Sequence, residues 1–182
     1  MIDQVRTFIA VDLSLDCVDY ISTLQSQIKG IIPDLKWVNP DNCHITLKFL
    51  GSISADSIEH ITKALQPSLE STNSFSVKTS NVSTFPSLQS PKILWLGLSD
   101  PQNKLQLLFN TVEETLYSFP KENRPFIAHI TLARGHIPTS MFFINAIQTK
   151  SVEINIRHVT FYQSILSLQE PKYVPLHRWL LK

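Results

Sequence analysis

Apolar and polar positions change period several times along the chain, and each change marks an element. Residues 6–13, RTFIAVDL, form a near-continuous apolar run of strand length. From 15 to 29, Leu15, Val18, Ile21, Leu24 and Ile28 recur at helical spacing behind Ser14, a residue suited to the N-cap. Gly30 and Pro33 signal a turn, 36–38 a short strand, and Asn39, Pro40 and Asp41 a second turn. HITLKFL at 44–50 alternates as a strand does and stops at Gly51. A second helix carries Ile58, Ile61, Leu65 and Leu69 behind Ser54, with Pro67 expected to end it early. Phe75–Phe85 and 92–99 read as strands, and Pro101 opens a third helix whose apolar side is Leu105, Leu108, Val112 and Leu116. After a loop at 119–125, the stretch 126–134, FIAHITLAR, is strand again and ends at Gly135. A short helix is expected over 139–148. A long strand is expected over 152–166, with a phase change near Arg157 that reads as a bulge, and a last strand over 173–181.

Strands alternating with helices predict an α+β or α/β architecture with a mainly antiparallel sheet. One sequence recurs: HITLKFLG at 44–51 and HITLARG at 129–135. A strand duplicated on two lobes places its copies face to face across a groove. Strict alternation puts His44 and Thr46 on one face and Ile45, Leu47 and Phe49 on the other, and likewise His129 and Thr131 against Ile130 and Leu132. It also sets Lys48 beside His44, and it sends Arg134 to the wrong face unless the strand bends near Ala133.

Composition narrows the classes. The 182 residues hold 16 Lys+Arg against 15 Asp+Glu, a net charge of +1, with 43% apolar and 17% charged residues. That is a globular composition, long enough to bury a core without staples. Near-neutrality argues against a protein that coats nucleic acid through many phosphate contacts, and leaves room for a pocket that binds one phosphate. There is no membrane-length apolar run and no secretory signal pattern at the start, so a cytoplasmic location is expected. Cys17 and Cys43 are too few for a disulfide framework and read as reduced thiols. With four glycines and no glycine-rich phosphate loop, nucleotide binding of that kind is not expected.

Two histidines and two threonines meeting in a groove suit in-line displacement at phosphorus. One imidazole takes a proton from the attacking oxygen and the other gives one to the leaving oxygen. An ordinary imidazole supplies both forms near neutrality. Threonine hydroxyls and an arginine can hold the non-bridging oxygens. The bare pattern His-x-Thr occurs four times, at 44–46, 60–62, 129–131 and 158–160. The copy at 60–62 falls on a helix, where two residues span about 200°. The copy at 158–160 lacks the leucine and glycine that follow the other two.

These residues resemble the 2H phosphoesterase superfamily, and within it the RNA 2′,3′-cyclic phosphodiesterases, historically called 2′-5′ RNA ligases. RTFIAVDL is similar to the family's first strand. Trp37, Val38 and HITLKFLG are similar to its first motif and HITLARG to its second. Phe85, Pro86 and ILWLGL are similar to its middle, and YQSIL at 162–166 and KYVPLHRWLL to its last strands. Ala128 and Glu170 stand where the family often has proline and glycine. The resemblance implies a bilobal α+β fold, two mainly antiparallel sheets flanking a central cleft with helices outside, and one domain over residues 1–182. It implies opening of a 2′,3′-cyclic phosphate to a 2′-phosphate with no metal or other cofactor. His44 and His129 match the catalytic histidines, Thr46 and Thr131 the phosphate-binding threonines, and Arg134 the arginine after the second motif. RNA ends or nucleotides with a cyclic phosphate are the implied partners, with no membrane and no obligate protein partner.

Other readings stay open on the residues. Phe85 and Trp37 are candidates to stack on a base, with core packing as the alternative. A zinc site would need more ligands than this pattern supplies. Cys43 and His44, neighbours on a strand, point apart. Arg6, Arg124, Lys172 and Arg178 read first as solvated charges. The site also fits a 2′-5′-linked oligonucleotide, another cyclic phosphate, or a module that holds an RNA end without turnover.

Overall fold

In the computed structural model, residues 4–121, 124–137, 144, 147–167 and 170–182 are described. The elements follow the sequence pattern closely: β1 (Gln4–Asp12), α1 (Leu15–Lys29), β2 (Lys36–Trp37), a 3-10 turn (Pro40–Asn42), β3 (His44–Ser54), α2 (Ser57–Ser71), β4 (Phe75–Phe85), β5 (Ile93–Ser99), α3 (Lys104–Thr115), β6 (His129–Arg134), β7 (Glu153–Ile156), β8 (His158–Ile165) and β9 (Lys172–Leu180). The helix expected over 139–148 falls mostly outside the described residues.

The strands form one sheet in the order β7-β4-β5-β6-β3-β1-β8-β9, with β2 paired to β6, and every pairing is antiparallel. The two sheets expected on either side of a cleft are therefore two leaves of one. They join at β3 and β6 through the single pair Ile45↔Ile130. The outer ends of the sheet curl toward each other. β7 and β8 lie far apart in strand order yet are separated in sequence by Arg157 alone, so the expected bulge there is a crossing from one leaf to the other. Backbone hydrogen bonds from Leu181 N to Arg157 O (2.8 Å) and from Ser74 N to Lys182 O (2.7 Å) tie the ends together.

One face of the curled sheet packs against all three helices. Ile9, Val11, Ile45, Leu94, Leu96, Ile130 and Leu132 on strands meet Ile21, Leu65, Leu69, Leu108 and Val112 on helices in one buried cluster. Leu15 is 81% exposed, and Cys17 takes its place on the buried side of α1. The early stop at Pro67 does not occur: α2 runs through it to Ser71. Pro67 lies on the exposed side and Leu65 and Leu69 are fully buried, so packing outweighs the lost hydrogen bond.

Candidate active site

The repeated HITL strands meet at their isoleucines. Continuing the antiparallel register from Ile45↔Ile130 by one residue sets His44 across from Thr131, and Thr46 across from His129. The groove thus has an approximate two-fold axis at its floor. Each histidine faces the other motif's threonine.

The two rings are held alike. His44 Nδ1 lies 2.8 Å from the Asn42 carbonyl, supplied by the 3-10 turn before β3. His129 Nδ1 lies 2.7 Å from the Ile127 carbonyl. A carbonyl only accepts, so Nδ1–H donates in both, and among the described residues neither Nε2 has a hydrogen-bond partner. Aromatic rings fix the orientation. Phe8 stacks on His44 at 4.8 Å, with the edge of Tyr173 at 5.3 Å. Phe85 and Trp95 meet His129 edge-on at 5.0 and 5.9 Å. Burial pushes both histidines below the ordinary imidazole value. The Arg134 guanidinium pushes each the same way, against the carbonyl hydrogen bonds.

Each motif carries a bulge at the same place. Ala10↔Thr46 is followed by Ile9↔Lys48, so Leu47 is an extra residue in β3. Trp95↔Thr131 is followed by Leu94↔Ala133, so Leu132 is extra in β6. The phase of everything beyond the bulge is inverted. Arg134 therefore returns to the groove face, paired with Ile93, and its charge reaches His44, His129 and Tyr173. Lys48 does not stand beside His44: it is buried on the helix side, 2.6 Å from Glu113 and 3.0 Å from the Pro120 carbonyl. Phe49 moves the other way, to the groove face against Phe8, and is 49% exposed. The carbonyl of the bulged Leu132 receives Val38 N at 2.9 Å and Gln25 Nε2 at 3.1 Å.

The two glycines differ. Gly51 lies inside β3 at φ +72°, at a second irregularity, and does not end the strand. Gly135 does end β6; its φ of +143° would strain any other residue there.

Phe85 stacks on Trp95 at 4.8 Å within the groove. Trp37 is on the other face: it pairs with Ala133, packs against the core and is covered by Lys29 Nζ at 5.4 Å. The geometry therefore gives it no base to stack on. His60 bonds back to its own helix at Asp56 O. Thr160 donates to Asp12. Arg178 is not simply solvated, since it pairs with Asp12 at 2.8 Å. The aromatic neighbours Phe8, Tyr162, Tyr173 and Trp95 had no signal in the HITL repeats. Their only mark was an aromatic on alternate strand positions next to a motif. Among the described residues no cluster of three or more His, Cys, Asp or Glu could hold a metal ion, and no helix is long and apolar enough to cross a membrane.

Known proteins resemble this chain in sequence and fold. A family model described as LigT-like phosphoesterase matches residues 11–95. The RNA 2′,3′-cyclic phosphodiesterase of Methanothermobacter thermautotrophicus is 28% identical over 131 residues, 72% of this chain and 71% of its own. That of Archaeoglobus fulgidus is 29% identical over 175 residues, 94% and 97% of the two chains. The crystal structure of E. coli LigT complexed with 3′-AMP superimposes with a TM-score of 0.80 at 26% identity, covering 98% of this chain and 99% of that one.

Proposed function

We propose that the chain is a LigT-like phosphoesterase, and that it opens 2′,3′-cyclic phosphate ends of RNA and nucleotides to 2′-phosphates. The observation that carries this reading is the antiparallel meeting of the two HITL strands at Ile45↔Ile130, whose continued register sets each histidine across from the other motif's threonine, with both Nδ1 atoms committed to backbone carbonyls. Two groups so placed can flank one phosphorus. Water attacks in line while His129 Nε2 takes its proton. The P–O3′ bond breaks as His44 Nε2–H protonates O3′. The products are a 2′-phosphomonoester and a free 3′-hydroxyl, with the proton now on His129 and returned through solvent. Thr46, Thr131 and Arg134 hold the non-bridging oxygens. Phe85 offers the ring most suited to meet a base. The reading treats residues 1–182 as one domain of two related lobes. It also places the enzyme in the cytoplasm, where its two buried thiols stay reduced.

The test is turnover of an oligonucleotide ending in a 2′,3′-cyclic phosphate, with and without chelator, and identification of the product by phosphorus NMR. A 2′-phosphate formed at the same rate in both is the expected result. Binding without product would overturn the reading in favour of an end-holding module. A 3′-phosphate product, or loss of turnover in chelator, would overturn the proposed mechanism.

A further inference from the structure

The two motifs match in their carbonyl-bound Nδ1 atoms, their threonines and their bulges, and they part company one strand away. On β1 the register partner of His44 is Asp12. On β5 the register partner of His129 is Gly97. A side chain at Gly97 would crowd its neighbours: a Cβ there would lie 2.6 Å from Ser80 Oγ, 3.1 Å from the Asn81 carbonyl oxygen and 3.2 Å from Trp95 Cζ3. Asp12, by contrast, is built in. Its Oδ2 accepts from Thr160 Oγ1 and pairs with Arg178 Nη2, both at 2.8 Å, and its Oδ1 accepts from the Tyr162 hydroxyl. Arg178 Nε also donates to Thr160 Oγ1 at 3.3 Å.

Resting on the reading above, we propose that Asp12 is a positioning residue that breaks the tie between the two histidines, favouring the protonated form of His44 as the acid and leaving His129, beside Gly97, as the base. The carboxylate's oxygens are taken by Thr160, Tyr162 and Arg178, so it acts on His44 by charge across the strand pair and not by a hydrogen bond. Asp12 favours protonated His44 against burial and the like charges of Arg134 and His129, whereas among the described residues no carboxylate acts on His129, which meets the like charge of Arg134. The charged and titratable groups around His44 are Asp12 on β1, Tyr162 on β8, Tyr173 and Arg178 on β9, and His129 and Arg134 on β6. Of these only Asp12 is a carboxylic acid side chain.

The experiment follows the two ring carbons by NMR titration in the wild type, Asp12→Asn and Arg178→Gln. Asp12→Asn keeps an acceptor for Thr160 and removes the charge. It is expected to lower the His44 midpoint by about one pH unit while His129 stays put. Arg178→Gln uncovers the carboxylate and is expected to raise it, and this variant carries the test alone if Asp12→Asn fails to fold. A purely structural network would not give shifts of opposite sign. In turnover, Asp12→Asn should lose about tenfold in kcat/KM at pH 7 with a ribose leaving group, and much less with a 4-nitrophenolate leaving group that needs no acid. No shift at His44, or equal shifts at both rings, overturns the proposal. If the wild type opens no cyclic phosphate, the functional reading fails while the midpoints still decide the role of Asp12.

Discussion

A histidine whose Nδ1–H is spent on a backbone carbonyl has one task left, and this protein prepares two such rings. His44→Ala and His129→Ala are each expected to lower kcat by at least about 10², with unfolding temperature close to the wild type. Thr46→Ala and Thr131→Ala should lose less, because under the proposed mechanism the other threonine and Arg134 would still hold the phosphate. Full activity in either histidine variant would refute the assignment. Both rings are pushed below their ordinary value, chiefly by burial. The kcat/KM profile, which reports the free enzyme, should therefore be bell-shaped with its maximum on the acid side of about pH 6.5. Arg134→Gln removes one downward push on both rings. Its profile should move to higher pH while KM rises, and an unmoved profile would place the guanidinium elsewhere.

Elements rather than residues decide which side chains reach the groove. Alternation alone assigned Lys48 to it and kept Phe49 and Arg134 out. One extra leucine in each motif reverses all three. That reversal was only half legible. The awkward phase of Arg134 signalled a bend, but nothing in HITLKFL marks Leu47 as the residue to bulge. Lys48 shows what the reversal demands: a buried ammonium that Glu113 on α3 must meet. Lys48→Met leaves Glu113 buried without its partner and should destabilise the protein by about 3–5 kcal/mol. Lys48→Met combined with Glu113→Leu should recover most of that loss in a denaturant titration, since an apolar pair costs nothing to desolvate. The apolar faces of α1, α2 and α3 were readable from spacing because burial there is governed by the core alone. Pro67 was misjudged because propensity is local, whereas the burial of Leu65 and Leu69 that overrides it is not.

At the scale of the whole molecule, the sheet places residues from both ends of the chain in one groove. His44 and Tyr173 meet through β1, β8 and β9, which the sequence separates widely. Pairing over such distances leaves no local trace, so the strands were legible and their order was not. The crossing at Arg157 could be seen only as a change of phase. Burial of the two histidines also has a global consequence. Their protons bind more tightly in the unfolded chain, so their contribution to stability is complete above the unfolded value near pH 6.5 and is lost as pH falls from there through their lowered folded values. The unfolding temperature should accordingly drop between pH 7.5 and pH 5.5, and drop less in His44→Ala and His129→Ala. An equal drop in all three would assign the acid sensitivity to other groups.

The second position past each bulge holds Arg134 in one leaf and Phe49 in the other. A 2′,3′-cyclic phosphate is itself nearly symmetric about phosphorus, offering two ester oxygens of similar leaving ability. A groove of matched halves would accept the ribose either way round and release a mixture of isomers. With a cation on one side and a phenyl ring on the other, the two orientations stop being equivalent, and regiochemistry becomes a property of the protein.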